Sequence, residues 1–212
     1  MRSAWHWRGY FLQPLTKSIL PTSLFAITWI ASVAFGLRVL FQYENTPGRV
    51  GVAPQIWPSK QIKLSSDQPT LVMLAHPRCP CTESSVGELA QIMAQLQGKL
   101  TAYVLFVKPR EAGIDWEETS LQRSVEAIPG TQIILDPDGI EAERFGAKTS
   151  GHTLLFDANG RLLFSGGITA SRGHAGDNAG TSAIIALLNN QTPARTQTHV
   201  FGCLLASGTQ TE

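Results

Sequence analysis

Apolar residues recur along this chain in three different rhythms, and each predicts a different kind of element. From residue 19 to 37 the run ILPTSLFAITWIASVAFGL carries no charge. At about 1.5 Å per residue it makes roughly 30 Å of helix, the thickness of a hydrocarbon core. Residues 71–74, 100–107 and 131–135 are short, near-continuous apolar runs, as in strands buried on both faces. Between the first two, Val86, Leu89, Ala90, Met93 and Leu96 recur at three and four positions and predict an amphipathic helix, with Ser85 and Glu88 spaced as a capping box and Gly98 as its stop. Weaker helical patterns cover 116–128 and 140–145, and residues 61–64 alternate as a short edge strand does. Residues 152–156 and 161–164 then read as strands joined by Asp157-Ala158-Asn159-Gly160, a hairpin signal. Residues 181–188 predict a last helix. The order βαβαβα, then hairpin, then helix implies an α/β domain with helices packed on a largely parallel sheet and right-handed crossovers.

This pattern divides the chain into a leader (1–18), a transmembrane anchor (19–41), a linker (42–60) with Pro47, Pro54 and Pro58, a folded domain (61–190) and a tail (191–212) carrying Cys203. Arg2, Arg8 and Lys17 precede the apolar run, whereas Glu44 partly offsets Arg38 and Arg49 after it. The positive-inside bias therefore puts the leader in the cytoplasm and the domain on the periplasmic, extracytoplasmic side of the inner (plasma) membrane. Trp5, Trp7, Tyr10 and Phe11 supply residues for an interfacial aromatic belt. Ser32-Val33-Ala34 has the small residues of a signal-peptidase site. The long leader and the continuing apolar residues Val39, Leu40 and Phe41 favour an uncleaved anchor.

A net charge of +1 gives no basis for nucleic-acid binding, and three cysteines in 212 residues are too few for a disulfide scaffold but enough for one redox pair and one more. Cys79 and Cys81 fall where the first strand run turns into the helix pattern. Unpaired N–H groups and the positive end of the macrodipole stabilise a thiolate there, and Arg78 and His76 lie beside it. A thiolate that attacks a disulfide needs a second thiol to resolve the mixed disulfide. Cys81 is near, although a C-x-C ring across Pro80 is strained; Cys203 qualifies if its apolar neighbours Val200, Phe201 and Leu204 dock the tail. The alternative is metal: His76, Cys79, Cys81, His199 and Cys203 offer sulfur and imidazole ligands for copper or zinc delivery. A third reading is a non-catalytic binding module. The loop 171–180 holds His174, Asp177 and Asn178, as a helix cap or as a rim to the cysteine site. Its glycines do not follow G-x-G-x-x-G spacing, and His76 stands where a peroxiredoxin signature has threonine.

The element order, together with LDPDG, ERFGA and LLFDANGRLLFSGG, resembles the membrane-anchored thioredoxin-like proteins of the TlpA and alkyl hydroperoxide reductase-related type, and HPRCPCT with the late FGC resembles the RedB-like group. The resemblance covers roughly residues 64–188. It implies a thioredoxin-like three-layer α/β fold with a mixed central sheet, preceded by one transmembrane helix. It also implies a thiol-disulfide oxidoreductase-like activity without a cofactor, acting on a protein thiol or disulfide partner. Cys79 matches the attacking cysteine, Thr82 takes the place of the usual resolving one, and Gly151 takes the place of the family's cis-proline. The implied partner rim comprises His76, Arg78, Gly151, His152 and His174.

Overall fold

The structure, a computed structural model, describes residues 19–49, 51–109, 111–113, 116 and 119–205. The leader, with Arg2, Arg8, Lys17 and the aromatic residues of the expected belt, lies outside the described residues. The chain forms two units, 1–42 and 43–212.

The first unit holds most of α1 (Ile19–Asn45). Trp29, Ile30, Phe35 and Leu37 are exposed on it. The Thr28 and Ser32 hydroxyls donate to the carbonyls of Leu24 and Thr28, so both are satisfied within the helix, as a hydrocarbon setting requires. Its stretch Pro21–Asn45 is long and apolar enough to cross a membrane, a property that an N-terminal signal sequence shares.

The second unit is built on five strands: β1 (Thr70–Ala75), β2 (Thr101–Lys108), β3 (Thr131–Pro137), β4 (His152–Phe156) and β5 (Leu162–Gly166). They lie in the order β3-β2-β1-β4-β5. The pairs β1–β2 and β2–β3 are parallel, while β1–β4 and β4–β5 are antiparallel. β1 is the central strand. Its Leu71, Met73 and Ala75 enter one core with α2 (Pro80–Gln95), α3 (Ser120–Glu126) and α5 (Ala179–Leu188), and its Val72 and Leu74 enter the other. That double burial is why the strand shows no polar alternation. The second core is closed by α4 (Ile140–Arg144), Ile62 and Leu205, with Trp57 edge-on to Phe145 and Phe156 at 5.2 Å each. This mixed sheet between two layers is a thioredoxin-like α/β fold.

Some local expectations change. Residues 61–64 form no strand; the chain instead bridges β5's approach through Ile56 and Arg161. The helix α2 begins at Pro80, so Ser85 and Glu88 are buried in its interior and form no capping box. Proline suits that first position because its missing N–H would have no helical partner. The segment before the domain, expected as a spacer, runs along it: Gly48 N–H donates to Val200 O at 2.8 Å, and Trp57 N–H to Gly160 O at 2.8 Å. The tail docks as well. Cys203 O accepts from Ser150 N–H at 2.8 Å, Leu205 N–H donates to Lys148 O at 3.0 Å, and Thr149 and Leu204 form an antiparallel bridge.

Candidate active site

Cys79 is the N-cap residue of α2, extended at φ −92 and ψ 109, immediately after β1. The docked tail brings Cys203 over it. Their Sγ atoms are 2.9 Å apart, and Cys203 N–H donates to Cys79 Sγ at 3.3 Å. All three cysteines are free, and Cys79 is only 2% exposed.

Burial works against a Cys79 thiolate, but hydrogen bonds from the Cys203 and Thr82 side chains and from both backbones outweigh it, so the pKa lies below the ordinary thiol value. Burial pushes the Cys203 thiol up to about 12, helped by its hydrogen bond to Cys79 and by the charges of Cys79 and Cys81; Arg172 opposes this. When the pair holds a single proton, it therefore sits on Cys203, whose thiol then donates to Cys79. Burial, then the Cys79 charge, also raises Cys81, again against Arg172, whose side chain hydrogen-bonds it.

Thr82 is fully buried and 2.6 Å from the Ser150 hydroxyl. Ser150 Oγ accepts from His76 N–H at 2.8 Å. With Thr82 donating to the Cys79 sulfur, the Ser150 hydroxyl donates to Thr82. A relay of three donors thus ends on the thiolate.

Gly151 has φ 86, a left-handed conformation that favours glycine. Its N–H donates to Leu74 O at 2.8 Å, a bond proline cannot make, and a Cβ would meet Ser85 Oγ at 2.9 Å. The tail is fitted as closely: a Cβ on Gly202 would lie 2.0 Å from Ser150 O.

The remaining expected rim residues are dispersed. His76 is half-buried, its Nδ1 accepts from Arg78 N–H at 3.2 Å, and burial, then the Arg78 charge, lowers its pKa. Its ring meets Trp116 edge-on at 5.3 Å, and the Arg78 guanidinium covers the same indole at 4.7 Å. His152 is buried beneath the surface, with Nε2 2.8 Å from Ser165 Oγ. His174 is exposed, its Nδ1 2.8 Å from Arg172 O. His199 is exposed too, beside Phe201 at 6.4 Å. Among the described residues no three His, Cys, Asp or Glu side chains are grouped to hold a metal.

Sequence reasoning misses four participants. Ser150 is an ordinary serine until the tail and His76 converge on it. Trp116 lies in a weak pattern and braces the cysteine turn, with its indole N–H donating to Val107 O at 2.9 Å. Arg172 donates from Nη1 to Gly202 O at 2.6 Å and from Nε to Thr46 O at 3.2 Å, above the Tyr43 ring at 5.2 Å. Glu88 anchors the loop carrying that arginine, accepting from Gly176 N–H at 2.7 Å and from Asn178 Nδ2 and Thr181 Oγ at 3.0 Å each. Asn178 also caps α5 by accepting from Thr181 N–H.

No protein-family model matches the chain, and no curated protein matches it. Solved structures do. A hypothetical protein from Sinorhizobium meliloti is 20% identical with TM-score 0.54, over 76% of this chain and 93% of that one. An uncharacterized conserved protein from Geobacillus kaustophilus is 16% identical with TM-score 0.52, over 77% and 93%. A secreted Mycobacterium tuberculosis disulfide oxidoreductase, homologous to Escherichia coli DsbE, is 18% identical with TM-score 0.37, over 47% and 68%. At these identities the likeness is one of fold.

Proposed function

We propose that the protein is a membrane-anchored thiol-disulfide oxidoreductase in which Cys79 attacks and Cys203, rather than Cys81, resolves. The observation that carries this reading is the 2.9 Å approach of the two sulfurs. Cys79 thiolate attacks one sulfur of a protein disulfide, forming a mixed disulfide and releasing the first substrate thiolate. Cys203 then attacks Cys79 Sγ, the bond to the substrate breaks, and the second substrate thiol leaves. The substrate gains two electrons and the Cys79–Cys203 pair loses two; an external dithiol restores the pair. The reverse sequence oxidises a dithiol partner.

The helix α1 serves as anchor and holds the domain on the extracytoplasmic side, where disulfides persist. HPRCPCT, the late FGC and LLFDANGRLLFSGG favour a place beside the TlpA-type proteins, and among them the RedB-like group. Copper or zinc delivery has weaker support, since His76 and His199 are engaged apart from the thiols. The test uses the full chain in detergent with dithiothreitol as donor and insulin as protein disulfide. Activity falls to background in Cys79→Ser, and activity equal to the parent's overturns the role of Cys79.

A further inference from the structure

We propose that Arg172 is the positioning residue that makes Cys203 a resolving thiol, by holding the tail backbone at Gly202 and by keeping a cation beside Cys203 once Cys79 is consumed. This rests on the reading of Cys79 and Cys203 as attacking and resolving thiols.

The guanidinium joins three segments. It donates to Gly202 O, one residue before the resolving thiol, and to Thr46 O, and it lies over Tyr43. The Arg172 backbone is itself fixed, with its N–H donating to Glu44 O at 3.0 Å. Its loop is held from α2 by the buried Glu88 carboxylate. Besides its hydrogen bond to Cys81, the arginine is thus placed by contacts that do not involve the Cys79 or Cys203 sulfur.

The charged and titratable groups acting on Cys203 are Cys79, Cys81 and Arg172. In the resting site burial comes first in holding the Cys203 thiol protonated, and a Cys79 thiolate adds to this by accepting its hydrogen bond and by its charge. When Cys79 becomes a mixed disulfide it is neutral and no longer accepts that proton. That part of the restraint is removed; burial still opposes ionisation, and Arg172 is the cation that remains to favour the thiolate. Cys203 is therefore deprotonated more readily once Cys79 has reacted, with Arg172 beside it. The proton of Cys203 goes to solvent, its sulfur bonds to Cys79 Sγ, and the departing substrate thiolate takes up a proton.

The experiment is stopped-flow reaction of the full chain in detergent, in a Cys81→Ser background, with the uncharged disulfide dithiodipyridine. Each protein releases one thiopyridone as Cys79 is capped and a second as Cys203 resolves. Cys203→Ser must lose the second release; if the second release persists, the assignment of Cys203 falls whatever Arg172 does. With that control met, Arg172→Met is expected to slow the second release about tenfold at neutral pH, the size of one pKa unit. Its pH midpoint moves upward, the first release stays as fast as in the parent, and Arg172→Lys keeps most of the rate. An unchanged second release overturns the proposal. So does slowing by one factor at every pH, slowing of both releases together, or failure of Arg172→Lys to retain the rate.

Discussion

Cys79 Sγ lies 2.9 Å from Cys203 Sγ across 124 positions of sequence. What brings them together is backbone pairing. The tail lies against residues 148–150 through Cys203 O and Leu205 N–H, so the second thiol arrives on a segment bridged to Thr149 through Leu204.

If resolution belongs to Cys203, removing it must strand the reaction halfway. Cys203→Ser is expected to accumulate a mixed disulfide between Cys79 and substrate, seen as a mass adduct under non-reducing conditions. Cys81→Ser should not accumulate it. Adduct in Cys81→Ser alone would transfer the resolving role to Cys81.

Gly202 tests the docking without touching sulfur. Its missing Cβ leaves room for Ser150 O, which a methyl would approach to 2.0 Å. Overpacking of this kind costs about 1–3 kcal/mol, and each 1.4 kcal/mol is about tenfold in a population. Gly202→Ala should expose Cys79, which is 2% exposed in the docked state, raising its alkylation rate by iodoacetamide roughly tenfold or more and slowing resolution.

The Thr82 hydroxyl should set the acidity of Cys79. Hydrogen bonds to charged groups contribute about 1.5–3 kcal/mol, and a pKa unit is about 1.4 kcal/mol. Thr82→Val is expected to move the pH midpoint of thiolate ultraviolet absorbance upward by about one unit or more. The parent midpoint lies below that of an ordinary thiol, because the hydrogen bonds to Cys79 outweigh its burial.

How far the sequence announces these features depends on how local their causes are. The double burial of β1 and the apolar stripe of α2 are written in consecutive residues, so the parallel strand and the turn that carries Cys79 are legible, as is the docking impulse in Val200, Phe201 and Leu204; the strand order is not. The capping box fails because Pro80 starts the helix earlier and a tertiary demand claims Glu88. Ser150 and Arg172 carry no local mark. Their meaning comes from backbone groups that meet only when tail, loop and sheet are assembled, and the choice between Cys81 and Cys203 waits on the same contacts.

Burial holds His152 down to about 4, from an ordinary value of 6.5. The folded state therefore disfavours its protonation. Its contribution to stability is present above pH 6.5 and is lost as the pH falls toward 4, on the order of 3 kcal/mol in all. Urea unfolding of the full chain in detergent should show this loss, and His152→Gln should lessen the dependence on pH across that window. A dependence equal to the parent's would assign the acid loss to other groups.

The central claim is tested most directly by mapping the disulfide formed when the reduced full chain is oxidised by one equivalent of a protein disulfide. After trapping of free thiols with acid and alkylation, the bond predicted is Cys79–Cys203, with Cys81 alkylated. A Cys79–Cys81 bond, or three alkylated cysteines, would contradict it.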